Sequence, residues 1–225
     1  MAANLMIKRV DPGAAAEALT ASVRDVLPTA GVSTQIFGTP EQPSLGAAIG
    51  HELGAYFRNS ERTIFSVLAT VGGARPLRIG AGYVPVGRGA GPVGVLYEAR
   101  LSVLVPALTS FRRGRFRSGE FSGDPAVAGA LAGVRGLGST IWRFLQPVVI
   151  YNQTTFTIEP LLDLVPDDDG AVLVAYSAPA RATFGLGGYR LGLQPFLDIA
   201  AGIETALAAA AGIRPAPSPN APLPS

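Results

Sequence analysis

Few side chains in this sequence are equipped for chemistry. His51 is the only histidine, and Glu52 follows it directly. Neighbours on a helix diverge by about 100°, so the two do not share a face, and no nucleophile or orienting group is marked nearby. His51 therefore reads as a helix-surface residue. Asp167, Asp168 and Asp169 run together and end at Gly170. A calcium loop needs ligands at alternate positions and a distal Glu, so Pro166–Gly170 reads as a solvated hairpin turn. Glu159 and Asp163, placed on one strand, would lie about 13 Å apart, beyond the separations of about 5–9.5 Å that paired carboxylates use. The glycine clusters Gly80–Gly82, Gly87–Gly91 and Gly185–Gly188 lack the GxGxxG spacing before a helix and read as strand and turn glycines. The strongest candidate is Phe111–Gly119, FRRGRFRSG. There Arg112, Arg113, Arg115 and Arg117 interleave with Phe111 and Phe116, a pattern that could touch phosphate or an acidic protein surface.

What is missing narrows the chemistry further. With no cysteine, the chain has no disulfide, thiolate metal site, iron–sulfur cluster or thiol catalyst. A single histidine excludes two-histidine metal sites, and no cofactor is expected. Lys8 is the only lysine and does not follow a glycine loop, so a Walker-type phosphate loop is absent. The formal charge of +2 is too small to imply wholesale nucleic-acid binding. Nucleic acid is an expected partner only at the Arg112–Arg117 loop. Lys8 and Arg9 interrupt what would be the apolar core of a signal peptide. No charge-free apolar run reaches the roughly 18 residues of a membrane span. A transmembrane β-barrel would need an export signal that is not seen, so the expectation is a soluble protein made in a cytoplasm.

The elements that would position these residues follow from caps and periodicity. Asp11-Pro12 is a helix start, with Leu19, Val23, Val26 and Leu27 at helical spacing and Pro28 beyond. Val32–Phe37 is a short strand. Ser44 can cap a second helix with the stripe Leu45, Ile49, Leu53, Tyr56 and Phe57. Thr63–Val71, Leu77–Val86 and Val93–Val105 read as strands separated by a glycine loop at Gly87–Gly91. The last alternates Val93, Val95, Tyr97, Ala99, Leu101, Val103 and Val105 against Glu98, Arg100 and Ser102. Asp124-Pro125 repeats the cap-plus-proline start, with Val127, Leu131, Val134 and Ile141 along a third helix. Phe144–Tyr151, Thr154–Val165 and Ala171–Ser177 read as strands, and Ala182–Leu193 as extended. Pro195 opens a last helix through Phe196, Ile199, Ile203 and Leu207, ending at Gly212. Arg214–Ser225 holds Pro215, Pro217 and Pro219 among its prolines and no acidic residue, a polyproline-like tail.

These elements predict one α+β domain over 1–213, with a mainly antiparallel or mixed sheet flanked by amphipathic helices, and an extended tail over 214–225. Charged residues are only 15% of the 225, against about 25% in ordinary domains. So little polar surface implies that other chains, above all copies of this one, cover much of the exterior.

The order of elements resembles the tail-terminator and tail-completion proteins of Mu-like and other long-tailed phages. The likeness rests on the opening helix Pro12–Leu27, the short strand Ser33–Phe37, the helix Leu45–Phe57, the strand Thr63–Gly73, the long strand Val93–Val105, the AL-x-x-VR helix Ala130–Arg135 and the hairpin after it. It spans residues 11 to 184; Gly185–Ser225 departs from it. The resemblance implies a ring that caps a tail tube and joins it to the head, with the arginine loop facing the lumen or a neighbouring subunit. The expected function is a non-enzymatic structural subunit of a multimer, assembled in a host cytoplasm and located in the virion. Its contacts with copies of itself and with other subunits would use Arg112, Arg113, Arg115, Arg117, Pro215, Pro217 and Pro219. The alternatives are a small-ligand or lipid-binding domain with an apolar cavity between sheet and helices, and an enzyme built on His51.

Overall fold

Asp11 starts the first helix as its sequence requires. Its carboxylate accepts the Gly13 N–H at 2.9 Å and Pro12 occupies the first turn, giving α1 over Pro12–Val26. In this computed structural model residues 4–38, 64–73, 76–86, 88–114, 119–152, 154–181 and 189–210 are described. The helix expected over Ser44–Phe57, with His51 and Glu52, lies outside them, as do Arg115, Arg117, Gly185–Gly188 and the tail with Pro215, Pro217 and Pro219.

The strands in chain order are β1 (Val32–Phe37), β2 (Phe65–Val71), β3 (Leu77–Val86), β4 (Gly89–Leu101), β5 (Thr109–Arg113), β6 (Gly119–Gly123), β7 (Val148–Asn152), β8 (Thr154–Ile158), β9 (Leu161–Asp167), β10 (Gly170–Ser177), β11 (Ala180–Arg181) and β12 (Tyr189–Arg190). Eight of them form one sheet in the order β1-β2-β3-β4-β10-β9-β5-β6. Every neighbouring pair is antiparallel, so the mixed alternative falls away. The β9–β10 hairpin is inserted between β4 and β5. Pairs β7–β8 and β11–β12 stand apart as two-stranded ribbons.

The remaining helices are α2 (Pro125–Ala132), α3 (Leu137–Phe144) and α4 (Leu193–Ala209). Asp124 caps α2 by accepting the N–H groups of Ala126 and Val127 at 3.0 and 2.9 Å. Strand alternation then sorts the side chains. Val67, Ile79, Tyr97, Leu173 and Leu162 point to one face, where the buried residues of all four described helices join them in the main core. The other face carries a smaller cluster of Phe37, Leu68, Leu96, Leu161, Val174 and Tyr176. Beside it runs a polar band in which Arg78 meets Glu98 at 2.8 Å and Arg100 meets Asp167 at 2.9 Å.

Several expectations are corrected. The long strand starts at Gly89 and ends at Leu101, so Gly89–Gly91 belong to β4 rather than to a loop. A Cβ at Gly89 would fall against the Ile7 carbonyl, which accepts the Ala90 N–H while the Ile7 N–H donates to the Ala90 carbonyl. The third helix is two helices, because Gly136 takes φ +84° between α2 and α3, a conformation that side-chain-bearing residues disfavour. Phe144 ends α3 instead of starting a strand. Thr154–Val165 breaks at Glu159-Pro160 into β8 and β9, which belong to different sheets; proline cannot donate to a ladder. The last helix begins at Leu193, two residues before Pro195, and proline is tolerated there because first-turn N–H groups need no helical acceptor.

Core aromatics fix the helical layer to the sheet. Phe196 of α4 stacks on Tyr97 of β4 at 5.2 Å, and Phe144 of α3 meets the same ring edge-on at 5.3 Å. Truncating Phe196, fully buried, removes that contact and leaves a cavity. Phe196→Ala is expected to cost about 3–5 kcal/mol, read as a lowered midpoint in urea unfolding, whereas Asp124→Ala should cost about 1 kcal/mol through its cap alone.

Candidate functional site

The described ends of the arginine segment are paired strands. Arg112 and Arg113 are the last residues of β5, and Gly119 opens β6, with Phe111 opposite Phe121. Those two rings pack edge to face at 5.1 Å. A Cβ at Gly119 would collide with the Phe111 ring, which explains glycine there. Successive strand residues point to opposite faces, so the hairpin separates two arginines that the sequence places side by side. Arg112 is exposed on the face opposite the helices, in register with Glu120. Arg113 turns to the helical face and lies over the Trp142 ring of α3, its guanidinium carbon 4.0 Å from the centroid. The Trp142 indole N–H donates to the Gly114 carbonyl at 3.1 Å. Trp142 thus holds the end of β5 by two adjacent residues, and Arg113 is committed to that contact.

The acidic candidates also separate. Asp167 pairs with Arg100, whereas Asp168 and Asp169 form the exposed turn between β9 and β10. Glu159 precedes β9 and Asp163 lies within it, opposite Ser110 of β5. Among the described residues no group of three metal-ligating side chains comes together.

The feature that sequence reading misses is a groove of about 380 Å³ where α3, α4 and the end of β10 meet. Its floor is Tyr97. Phe144, Ala178 and Pro195 form apolar walls, and Thr140, Arg143, Gln146 and Asp198 stand around the rim. The groove is open to solvent, unlike the closed cavity a buried-ligand reading requires.

No family model, curated protein or solved structure matches this chain. The site is therefore argued from its own atoms. The Tyr97 hydroxyl accepts the Gly192 N–H at 2.9 Å. Its own proton has no acceptor among the described residues. Burial holds the phenol neutral by raising its pKa far above the ordinary tyrosine value. Gly192 is the N-cap of α4 and supplies no side-chain cap, and Pro195 has no N–H, so the first-turn amides of Leu193 and Gln194 have no helical acceptor. At the rim, Gln146 donates to the Arg143 carbonyl at 2.6 Å, and Gln194 donates to the Asp198 carboxylate at 2.8 Å. Arg143 and Asp198 are the charged residues of the lining.

The only tryptophan reports on the Arg113 contact directly. Arg113→Ala is expected to shift Trp142 emission and to lower stability by about 0.5–1 kcal/mol, the range of an exposed cation–π contact, while Arg112→Ala leaves the emission unchanged.

Proposed function

We propose that this protein is a non-enzymatic structural subunit of a multimeric assembly, of the ring-forming tail-terminator or head–tail connection kind found in phage virions. The observation that carries the reading is β1. Among the described residues it is an outer strand of the eight-stranded sheet, and its sequence Val-Ser-Thr-Gln-Ile-Phe contains no charge and no proline. An edge presents unpaired backbone donors and acceptors, and monomeric proteins blunt such edges with charges, prolines or bulges. The opposite edge, β6, is guarded: it is five residues long, carries Glu120 and ends at Gly123 with φ +122°.

An unguarded edge suits a second copy of itself. Antiparallel β1–β1 pairing about a two-fold axis would continue the sheet across two subunits and satisfy both edges at once. Alongside β1, a groove of about 490 Å³ against α1 presents Glu17, Arg24 and Asp25, charges of both signs that a two-fold axis can bring face to face. The low charge content agrees with an exterior covered by neighbours, and the phage resemblance names the kind of assembly. Among the described residues no helix is long and apolar enough to cross a membrane.

Ser33 and Gln35 are exposed on β1, so lysines there do not disturb the core. In the paired edge they would set like charges against each other. The double variant Ser33→Lys, Gln35→Lys is expected to sediment as smaller species than the wild type at equal micromolar concentration. A wild-type chain that sediments as a monomer across that range overturns the reading.

A further inference from the structure

We propose that two copies of this chain join edge to edge about a two-fold axis through Thr34, each β1 pairing with the other and each α1 setting Glu17 against Arg24 of the other; this rests on the multimeric reading above and fixes its register.

The backbone of β1 decides which groups are free to pair. Just before the strand, the Gly31 carbonyl accepts the Gly72 N–H at 2.9 Å, on the register that sets Val32 opposite Val71. In an antiparallel ladder, hydrogen-bonded pairs alternate with non-bonded ones. Counting on from Gly31, residues 33, 35 and 37 bond to β2. The N–H and C=O groups of Val32, Thr34 and Ile36 then point to the open edge. The Arg100 N–H, donating to the Pro76 carbonyl, gives the same phase when carried back from β4 through β3 and β2.

Symmetry leaves few registers for that edge. A two-fold axis perpendicular to the sheet keeps every side chain on its own face, so residues 32, 34 and 36 pair only among themselves. Centred on Thr34, Thr34 meets its own copy and Val32 meets Ile36 in both directions, so all three edge residues bond. A centre on Ser33 would leave Ile36 outside the pairing, and a centre on Gln35 would leave Val32 outside it. The side chains agree. On the helical face, half-buried Val32 and Ile36 carry the apolar row across the axis, and threonine meets threonine. On the other face, exposed Ser33 meets exposed Gln35.

Helix α1 is centred on the same axis. It packs over β1 and β2, and Thr20 and Ala21 line one groove with Thr34, so the middle of the helix stands beside the middle of the strand. Glu17, Thr20, Ala21 and Arg24 recur at i, i+3, i+4 and i+7 and form one stripe. Glu17 and Arg24 flank its centre equally and lie beyond the i, i+4 reach of a pair within one helix. The axis therefore brings each glutamate to the arginine of the other copy. Asp25 lies about 100° round the helix from Arg24, off the stripe.

The chain has no cysteine, so introduced thiols report only on the positions chosen. Ser33 and Gln35 would face each other as a non-hydrogen-bonded pair with Cα atoms about 4.5 Å apart, within disulfide range. Like residues would sit diagonally, about 7–8 Å apart. Ser33→Cys and Gln35→Cys chains, one of them affinity-tagged, are mixed at equal concentration under mild oxidation. The mixed disulfide dimer is expected to exceed either like-with-like dimer about tenfold. Glu17→Arg and Arg24→Glu should each weaken self-association about tenfold, and the two together should restore it. Like-with-like disulfides in excess overturn the register. A double exchange as weak as the single ones overturns the helix contact. A wild-type chain that stays multimeric while no combination cross-links sinks the edge pairing and leaves the assembly standing. A wild-type chain that sediments as a monomer sinks the assembly, and this contact with it.

Discussion

Burial of the Tyr97 ring is the interaction on which the helical half of this protein depends. The ring stands on the longest strand of the sheet, takes Phe196 on one side and Phe144 on another, and binds the start of α4 through its hydroxyl. One side chain therefore locates two helices and one helix terminus. A tyrosine is needed because a phenylalanine would fill the same space and leave the Gly192 amide without its partner. Gly192 follows from the same constraint, since a Cβ there would press on both the Phe144 ring and the Tyr97 hydroxyl at about 3.2–3.3 Å.

The second face of the sheet obeys a different rule. Its strands bring small and large residues into the same row: Tyr176 lies across Gly94, where any Cβ would overlap the phenol. Gly80 and Leu96 face each other in register, and Leu96 pairs in turn with Tyr176. One row further along, Thr70, Arg78, Glu98, Val174 and Asp163 follow one another across five strands. A pleated sheet of uniform backbone thus supports an apolar strip and a polar strip side by side, through side-chain choice alone.

What could be read from the sequence was short-range. Asp11-Pro12 and Asp124-Pro125 act within three residues of themselves, so both helix starts were legible, as was the alternation that marks β4. The α+β class followed from these. The sheet order did not, because the insertion of β9–β10 between β4 and β5 is a matter of pairing, to which no local pattern points. The hairpin at Arg112–Arg113 was hidden for another reason: four arginines read as one charged cluster, whereas strand alternation divides the two described ones between faces. The groove was illegible since its lining comes from β4, α3, α4 and the residues between them, and the decisive bond joins Tyr97 to a backbone 95 residues away.

Helix α3 has only eight residues, and it touches two places at once. Trp142 holds Arg113 and Gly114 at the end of β5, and two residues on, Phe144 walls the groove. One eight-residue helix is thus the common support of two distant features, the end of β5 on one side and the ring packing on Tyr97 on the other.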